Sequence, residues 1–169
     1  MASRLYWIEG PWRGRLAIAP RPRGGDWLED EVSDWHKAGI GVVVSLLTPD
    51  EVAEFGLEAE KQLCEAQGIR FVSFPIPDRG VPASKDAAAK LVDDLEKSLA
   101  DGKTVAIHCR QGIGRSGLIV ACLLVSAGEE PSSAFERISS ARGVTVPESP
   151  EQERWVLDSA SAPAFHPTL

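Results

Sequence analysis

Short apolar runs alternate with longer amphipathic segments along most of this 169-residue chain. Four short segments are apolar or rich in β-formers, and they are short enough to be strands rather than helices. They cover residues 16–19, 40–47, 70–74 and 104–107. The first run leads into Pro20 and Pro22, so we predict an edge strand that enters a loop.

The segments between these runs carry helix-terminal signals. Asp26 is a candidate cap for a first helix, Thr48-Pro49-Asp50-Glu51 predicts a capped start for a second, and residues 57–67 continue the helical pattern up to Gly68. Ser84 predicts the start of a further amphipathic helix. This alternation predicts an α/β fold: a central, mostly parallel, twisted sheet of about four or five strands, flanked by helices on both faces.

The last predicted strand is followed by the loop HCRQGIGRS and then by residues 118–125, which are apolar on every side and indicate a buried helix. A strand that enters a glycine-containing loop before a helix N-terminus forms a typical anion site. Its backbone amides point inward, and the helix dipole adds partial positive charge. We therefore expect an anionic ligand at residues 108–116.

The side chains in this loop indicate what the anion is for. Cys109 would lie among amides at a helix start, an environment that leaves a thiolate at neutral pH. Arg115 offers a planar pair of donors that matches two phosphate oxygens. Gly112 and Gly114 are predicted to adopt backbone angles that a side chain would forbid. Ser116 is placed to donate a hydroxyl hydrogen bond towards the sulfur. These residues together predict a nucleophile inside a phosphate-binding loop.

HCRQGIGRSG resembles the signature loop of the cysteine-based protein tyrosine phosphatases, in the small dual-specificity branch that includes kinase-associated phosphatase and its bacterial relatives. The resemblance covers roughly residues 40–155, and the loop is its specific part. It implies that Cys109 is the nucleophile and Arg115 the phosphate clamp. It also implies that Ser116 assists the thiolate leaving group and that His108 orients the cysteine.

Phosphate would be held by one continuous stretch, whose amides and arginine tolerate the charge on the transferring group. The stretch is Arg110, Gln111, Gly112, Ile113, Gly114 and Arg115. Because these groups already supply a positive field, we expect neither a metal nor another cofactor. A phosphate, sulfate or vanadate ion is expected to bind in the same loop.

Asp78 is the candidate general acid. It lies in a proline-bearing loop at residues 74–82, 31 residues before Cys109, and the resembling family places its acid on such a loop at a similar distance. The tryptophan often found in that loop is absent here. Asp86, in the first turn of the next helix, is the alternative acid, and a plain turn aspartate is the structural alternative for Asp78.

A glutamine that positions the hydrolytic water is common in the family near the last helix. Gln152 is the candidate, and a slip of one helical turn would put Glu148 in its place. A surface helix glutamine is the alternative for Gln152. Both residues lie near the predicted start of a helix that contains Trp155.

Composition and charge limit the domain organisation and the kinds of binding partner that the chain can have. The chain fits a single domain over 1–169, with a strand and loop arm at 1–25 and a loosely ordered tail at 159–169. A net charge of -7 argues against a nucleic-acid surface, and no apolar run reaches a membrane span. Without a secretory signal, Cys64 and Cys122 are expected to be buried structural thiols in a cytoplasmic protein. We expect a monomer.

The predicted function is hydrolysis of phosphate monoesters on a phosphorylated protein or peptide, through a phosphocysteine intermediate. Phosphotyrosine, with phosphoserine and phosphothreonine, is the expected substrate class. A phosphoinositide or RNA 5′-phosphatase on the same loop is one alternative. A catalytically inactive module that binds phosphate is the other.

Overall fold

The computed structural model describes residues 4–160 of the chain. Its sheet has five strands in the order β1-β2-β5-β3-β4 within this range. β1 is antiparallel to β2, and the other neighbours are parallel. The strands are β1 Tyr6–Ile8, β2 Leu16–Ala19, β3 Ile40–Ser45, β4 Arg70–Ser73 and β5 Thr104–His108. The predicted α/β architecture with a mostly parallel sheet is confirmed.

Seven α-helices occur in the described part of the chain, and they lie on both faces of the sheet as predicted. They are α1 Leu28–Lys37, α2 Pro49–Glu54, α3 Glu60–Ala66, α4 Lys85–Ala100, α5 Gly114–Ser126, α6 Pro131–Arg142 and α7 Pro150–Ala160. One apolar core joins the sheet to α4–α7, and a smaller core joins it to α1 and α3. α5 is buried along almost its whole length, because its side chains are apolar on every side.

The prediction of an edge strand at Leu16–Ala19 was wrong. All four residues are fully buried, because β2 lies between β5 and the short antiparallel strand Tyr6–Ile8. The edge strand on this side of the sheet is β1, and its three residues are too few to show the alternating pattern of a strand in the sequence. The alternating proline and glycine signals around β2 mark its loops and not an exposed edge.

Most of the predicted helix starts are confirmed, with two corrections. Thr48 and Glu51 form the predicted capping box, and Ser84 Oγ accepts a hydrogen bond from the amide of Ala87 at 3.1 Å. Asp26 does not cap α1, because it lies in a 3-10 turn that precedes Leu28. The helical pattern of 57–67 forms a helix only from residue 60 onward.

The predicted tail at 159–169 begins inside α7, since residues 159 and 160 are helical. The remaining residues, 161–169, lie outside the part of the chain that the structure describes. Among residues 4–160, no helix combines the length and the apolar character that crossing a membrane requires.

The parallel order places several loops at one edge of the sheet. The chain leaves β3, β4 and β5 at the same edge, because parallel strands share their carboxyl ends. The segment that enters α2 follows β3, the proline-bearing loop follows β4, and the signature loop follows β5. Residues that are 31 to 64 positions apart in the sequence therefore meet at one place.

Candidate active site

The signature loop forms the floor of a cavity of about 270 Å³. β5 ends at His108, Cys109 follows and is 3% exposed, and α5 begins at Gly114. The cavity is lined by Asp78, Arg79, Cys109, Arg110, Gln111, Ile113, Gly114, Arg115 and Glu148. The structure thus brings together the candidate nucleophile, clamp and acid, and every predicted phosphate-binding residue except Gly112.

Gly112 turns the loop back against the sheet. Its φ is 72°, and a Cβ there would lie 2.9 Å from the carbonyl oxygen of Ala19, so glycine is required on both grounds. Arg142, at the end of α6, donates from Nε to the carbonyl of Gly112 at 2.6 Å and from Nη2 to that of Gln111 at 3.2 Å. Arg142 therefore draws these carbonyls away from the anion site, and nothing in the sequence had indicated it.

Gly114 has a different reason to be glycine than the one predicted. Its φ is not in the left-handed region, and it simply starts α5. A Cβ at this position would lie 2.4 Å from Glu148 Oε2 and 3.0 Å from the amide group of Gln152. The absence of a side chain therefore allows the start of α7 to approach the loop.

Arg115 is buried, and hydrogen bonds to protein groups hold its guanidinium in place. It is 2% exposed, and its Nη1 and Nη2 donate to Glu51 Oε1 and Oε2 at 2.7 and 2.9 Å. Nη1 also donates to the carbonyl oxygen of Ile76 at 2.9 Å. Two parallel hydrogen bonds fix the plane of the guanidinium as well as its position. Glu51 was predicted only as a capping residue, and it caps α2 and holds Arg115 at once.

The protonation of this pair follows from opposing effects. Burial alone would raise the pKa of Glu51, but hydrogen bonds from Arg115 and Thr48 and the charge of Arg115 outweigh it, and the pKa is lowered. Burial alone would lower the pKa of Arg115, but the hydrogen bond to Glu51 and the negative charges of Cys109, Glu51 and Asp78 raise it. Both partners are therefore charged at neutral pH.

Asp78 lies across the cavity from the signature loop, on a tight turn. The Gly80 amide donates to the Pro77 carbonyl at 2.8 Å, and Arg79 adopts a left-handed φ of 62°. The Asp78 side chain is 46% exposed, and its Oδ1 accepts from Arg115 Nη2 at 3.2 Å. Its Oδ2 lies 3.8 Å from Arg110 Nη1. A carboxylate this close to the clamp and still open to solvent can exchange protons with a bound ester.

The alternative acid, Asp86, lies in the first turn of α4 and does not line the cavity. The geometry therefore favours Asp78 over Asp86 as the acid. The structural reason is that Asp86 belongs to the helix that follows the loop, while Asp78 sits at the apex of its turn.

Gln152 and Glu148 take different places near the loop. Gln152 is fully buried, and its Nε2 donates to the carbonyl of Gly80 at 3.1 Å, which ties α7 to the acid-bearing turn. Its Oε1 is buried and has no hydrogen-bond partner among residues 4–160. Glu148 lines the cavity itself. Of the two candidates, Glu148 is the one at the cavity wall, while the surface alternative for Gln152 is excluded by its burial.

His108 and Ser116 lie deeper in the fold. His108 Nε2 lies 2.5 Å from Glu60 Oε2, and its ring stacks on Trp35 with centroids 5.9 Å apart. Ser116 is fully buried, and within the described range its Oγ has no hydrogen-bond partner. The hydrogen bond predicted between Ser116 and Cys109 is therefore not formed in this structure.

The other two cysteines are free and buried, and both are far from nucleophilic. Burial and the negative charges of Glu60 and Glu65 raise the pKa of Cys64 to about 12, and burial alone raises the pKa of Cys122. No cluster of three or more histidine, cysteine or acidic side chains that could hold a metal is found among residues 4–160. Cys109 is the cysteine that faces the cavity.

A family model described as "Tc-R-P: Polymorphic toxin system, DSP-PTPase phosphatase" matches residues 19–129, which include β3 to β5, the acid-bearing loop and the whole signature loop. The chain belongs to the DSP-PTPase phosphatase family.

Curated relatives of this chain share moderate sequence identity with it. Cyclin-dependent kinase inhibitor 3 of Sus scrofa is 28% identical over 118 residues, which cover 69% of this chain and 55% of that protein. Protein tyrosine phosphatase domain-containing protein 1 of Mus musculus is 39% identical over 97 residues, or 53% of this chain and 13% of the relative. The chain thus spans about half the length of the first relative and a small part of the second.

Solved phosphatase structures have the same fold. Kinase associated phosphatase, in a form whose catalytic-site cysteine is replaced by serine, superposes with a TM-score of 0.84 at 18% identity, covering 96% of this chain and 98% of that one. Tk-PTP in its active form gives a TM-score of 0.75 at 27% identity, with 92% and 95% covered. The fold of this DSP-PTPase chain is therefore that of the dual-specificity phosphatases.

Sequence reasoning missed three residues that support the site. The sequence around Glu51 predicted a helix cap and gave no sign of the contact with Arg115. The available indication was an acidic side chain close to the end of a strand. Glu60 and Arg142 carried no signal, because their partners are 48 and 30 residues away in the chain. Such contacts depend on how the layers pack.

Proposed function

We propose that this phosphatase hydrolyses phosphate monoesters on proteins or peptides through a phosphocysteine intermediate, with Cys109 as the nucleophile. One observation carries the proposal: Cys109, the anchored guanidinium of Arg115 and the carboxylate of Asp78 line a single cavity. A buried thiol beside a fixed cation and a half-exposed acid provides nucleophile, charge stabilisation and proton donor together.

In the first step the Cys109 thiolate attacks phosphorus and forms an S–P bond, while the ester P–O bond breaks. Arg115 and the amides of 110–115 hold the equatorial oxygens, where negative charge accumulates in the transition state. Asp78 gives its proton to the departing oxygen. In the second step Asp78 takes a proton from water, which attacks phosphorus, breaks the S–P bond and releases phosphate and the thiolate.

The contact between Asp78 and Arg115 places the acid beside the phosphate site. In the structure Asp78 Oδ1 accepts a hydrogen bond from Arg115 Nη2 at 3.2 Å. A phosphate dianion seated on Arg115 would take over this donor and leave the Asp78 carboxyl free to face the departing ester oxygen.

The cysteine test compares Cys109→Ser with Cys122→Ser, which changes a buried thiol on α5. We expect Cys109→Ser to abolish hydrolysis of p-nitrophenyl phosphate and to keep vanadate binding, while the control retains turnover. Acid quenching during turnover of a ³²P-labelled phosphopeptide should trap label on the wild-type protein and not on Cys109→Ser. Near-normal turnover by Cys109→Ser would contradict the assignment.

A substrate panel tests the class. We expect kcat/KM to be highest for peptides that carry phosphotyrosine, phosphoserine or phosphothreonine. Higher values for phosphoinositides or RNA 5′-phosphates would establish one of the alternatives. Vanadate binding without hydrolysis of any compound would establish an inactive binding module.

The acid test is Asp78→Ala, with Asp86→Ala as its control. We expect Asp78→Ala to lower kcat on phosphotyrosine peptide by roughly 10²–10⁴-fold at neutral pH, the usual range for loss of a general acid. The loss should be smaller on p-nitrophenyl phosphate, whose leaving group needs no proton. Asp86→Ala should change little, and the reverse pattern would move the role to Asp86.

A further inference from the structure

Arg142, the last residue of α6, holds two carbonyl groups of the signature loop. Its Nε donates to the carbonyl oxygen of Gly112 at 2.6 Å, and its Nη2 donates to that of Gln111 at 3.2 Å. Because a guanidinium presents its donors in one rigid plane, the two bonds fix the orientation of both carbonyls together. Arg142 is not among the residues that line the cavity, so these carbonyls point away from the anion site.

The orientation of the carbonyls decides where the next amides point. The peptide bond between Gly112 and Ile113 is trans, and in a trans peptide the N–H of the second residue points opposite to the C=O of the first. With the Gly112 carbonyl turned towards Arg142, the amide of Ile113 is turned towards the cavity that Ile113 lines. This amide donates no hydrogen bond to another group of residues 4–160. It is therefore available to an oxygen of a bound phosphoryl group.

The guanidinium of Arg142 lies in turn over the ring of Tyr6. Its central carbon is 3.8 Å from the ring centroid, a cation–π contact. Tyr6 is the first residue of β1, and its backbone pairs with Ile18 of β2, so the sheet carries the ring. No ion pair holds Arg142 within residues 4–160. The ring is therefore the support that the sheet gives to the plane of this guanidinium.

We propose that Tyr6 and Arg142 are positioning residues for the anion site: the ring orients the guanidinium, and the guanidinium directs the Ile113 amide at a phosphate oxygen. This role rests on the proposed function, since it requires that the signature loop binds a phosphoryl group. Without Arg142 the peptide after Gly112 would be free to rotate, because glycine restricts its backbone angles less than any other residue. Arg142 thus keeps a donor preorganised for the charge of the transition state.

The first test measures the affinity for tungstate, a tetrahedral dianion that needs no hydrolysis, by isothermal titration calorimetry. Arg142→Met keeps much of the side-chain length and loses every donor. We expect its dissociation constant to rise by about tenfold, which corresponds to one hydrogen bond to a charged group. The matched control is Arg137→Met on the same helix, because Arg137 donates to the Glu9 carbonyl and to Glu129 rather than to the loop. The control should keep the wild-type constant.

Tyr6→Leu and Tyr6→Phe test the ring separately. Leucine removes the aromatic face, and we expect the tungstate dissociation constant to rise by about threefold, as for loss of an exposed cation–π contact. Phenylalanine keeps the face and should retain the wild-type constant. Wild-type affinity in Tyr6→Leu, or equal weakening in both variants, would overturn the role of the ring. If Arg142→Met does not fold, this pair decides the proposal.

Nitrogen-15 NMR reads the amide itself and separates positioning from a general loss of stability. In the wild-type protein, saturating tungstate should shift the backbone amide signal of Ile113. We expect a smaller shift in Arg142→Met and an unchanged one in Arg137→Met. An Ile113 shift in Arg142→Met as large as in the wild type would overturn the proposal.

These measurements need no turnover, so they are separate from the hydrolysis assays. Wild-type tungstate affinity in Arg142→Met, in a protein that hydrolyses phosphopeptides, would overturn the role of Arg142 and leave the proposed function standing. The expected affinities in a protein that hydrolyses nothing would disprove the proposed function and leave the roles of Tyr6 and Arg142 standing.

Discussion

Glu51 and Glu60 lie nine residues apart, each in a short helix between β3 and β4, and each contacts a basic residue of the signature loop segment. Glu51 reaches Arg115 at the wall of the cavity, through two parallel hydrogen bonds. Glu60 reaches His108 on the opposite face of the sheet, through one contact. The two carboxylates thus support the loop from its front and from its back.

The difference between the two regions is one of environment. The front pair includes a permanently charged arginine with a fixed donor geometry, which suits it to orient phosphate oxygens. The back pair includes a histidine, whose ring lies between the Glu60 carboxylate and Trp35. Glutamate therefore fixes a guanidinium in front of Cys109 and an imidazole ring behind it.

The largest effect is expected at the front, from Arg115→Lys. Lysine keeps the charge but cannot donate to both oxygens of Glu51 and to the phosphate in one plane, so kcat/KM should fall by about 10³-fold. Arg110→Lys is the control, since Arg110 lines the same cavity and its contact with Asp78 is 3.8 Å long. Steady-state kinetics on a phosphotyrosine peptide gives both values. Near-wild-type kcat/KM in Arg115→Lys would show that charge alone, without the donor geometry of arginine, is sufficient at the front.

Glu51→Gln should come next, with a loss of about 10² in kcat/KM, because it leaves one acceptor and unties the guanidinium. Glu54→Gln, an exposed position of the same helix, is the control and should be near neutral. If Glu51→Gln kept full kcat/KM, the bidentate contact would not be what orients Arg115.

Glu51→Gln also tests how the stability of the protein depends on pH. The folded state lowers the pKa of Glu51, so its stabilising contribution is present above the ordinary value of 4.5 and is lost as pH falls below it. We expect the wild-type melting temperature to exceed that of Glu51→Gln most at neutral pH, with the gap narrowing in acid. Calorimetry between pH 7 and pH 3 measures it, and a gap that widens in acid would contradict the assigned sign.

The smallest loss of kcat is expected from Gln152→Ala, since Gln152 is not part of the Glu51 or Glu60 contacts. Its hydrogen bond to Gly80 supports the acid-bearing turn, so kcat should fall by about three- to tenfold, with the effect of Asp78→Ala reduced in the double variant. Glu151→Ala, an exposed neighbour on α7, is the control. Accumulation of phosphocysteine in Gln152→Ala would instead show that Gln152 positions the water, as the family resemblance implies.

Local sequence was sufficient wherever a feature depends on neighbours in the chain. The cap at Thr48, the turn that carries Asp78 and the strand-loop-helix around Cys109 follow from residue types within a few positions. Local sequence did not predict β1, because a strand of three residues is too short to show a pattern. It also did not predict why residue 114 is glycine, since a side chain there would clash with Glu148 across the cavity.

By itself, the sequence determined the α/β class, the position of the signature loop and the candidate nucleophile, clamp and acid, because each is written in contiguous residues. Only the tertiary structure decided that Glu51 holds Arg115, that Glu60 faces His108 and that Arg142 draws back the loop carbonyls. The physical reason is that a buried charge takes its partner from whichever layer packs against it, and layer packing is set by the whole sheet. Two carboxylates nine residues apart in the chain therefore have different partners.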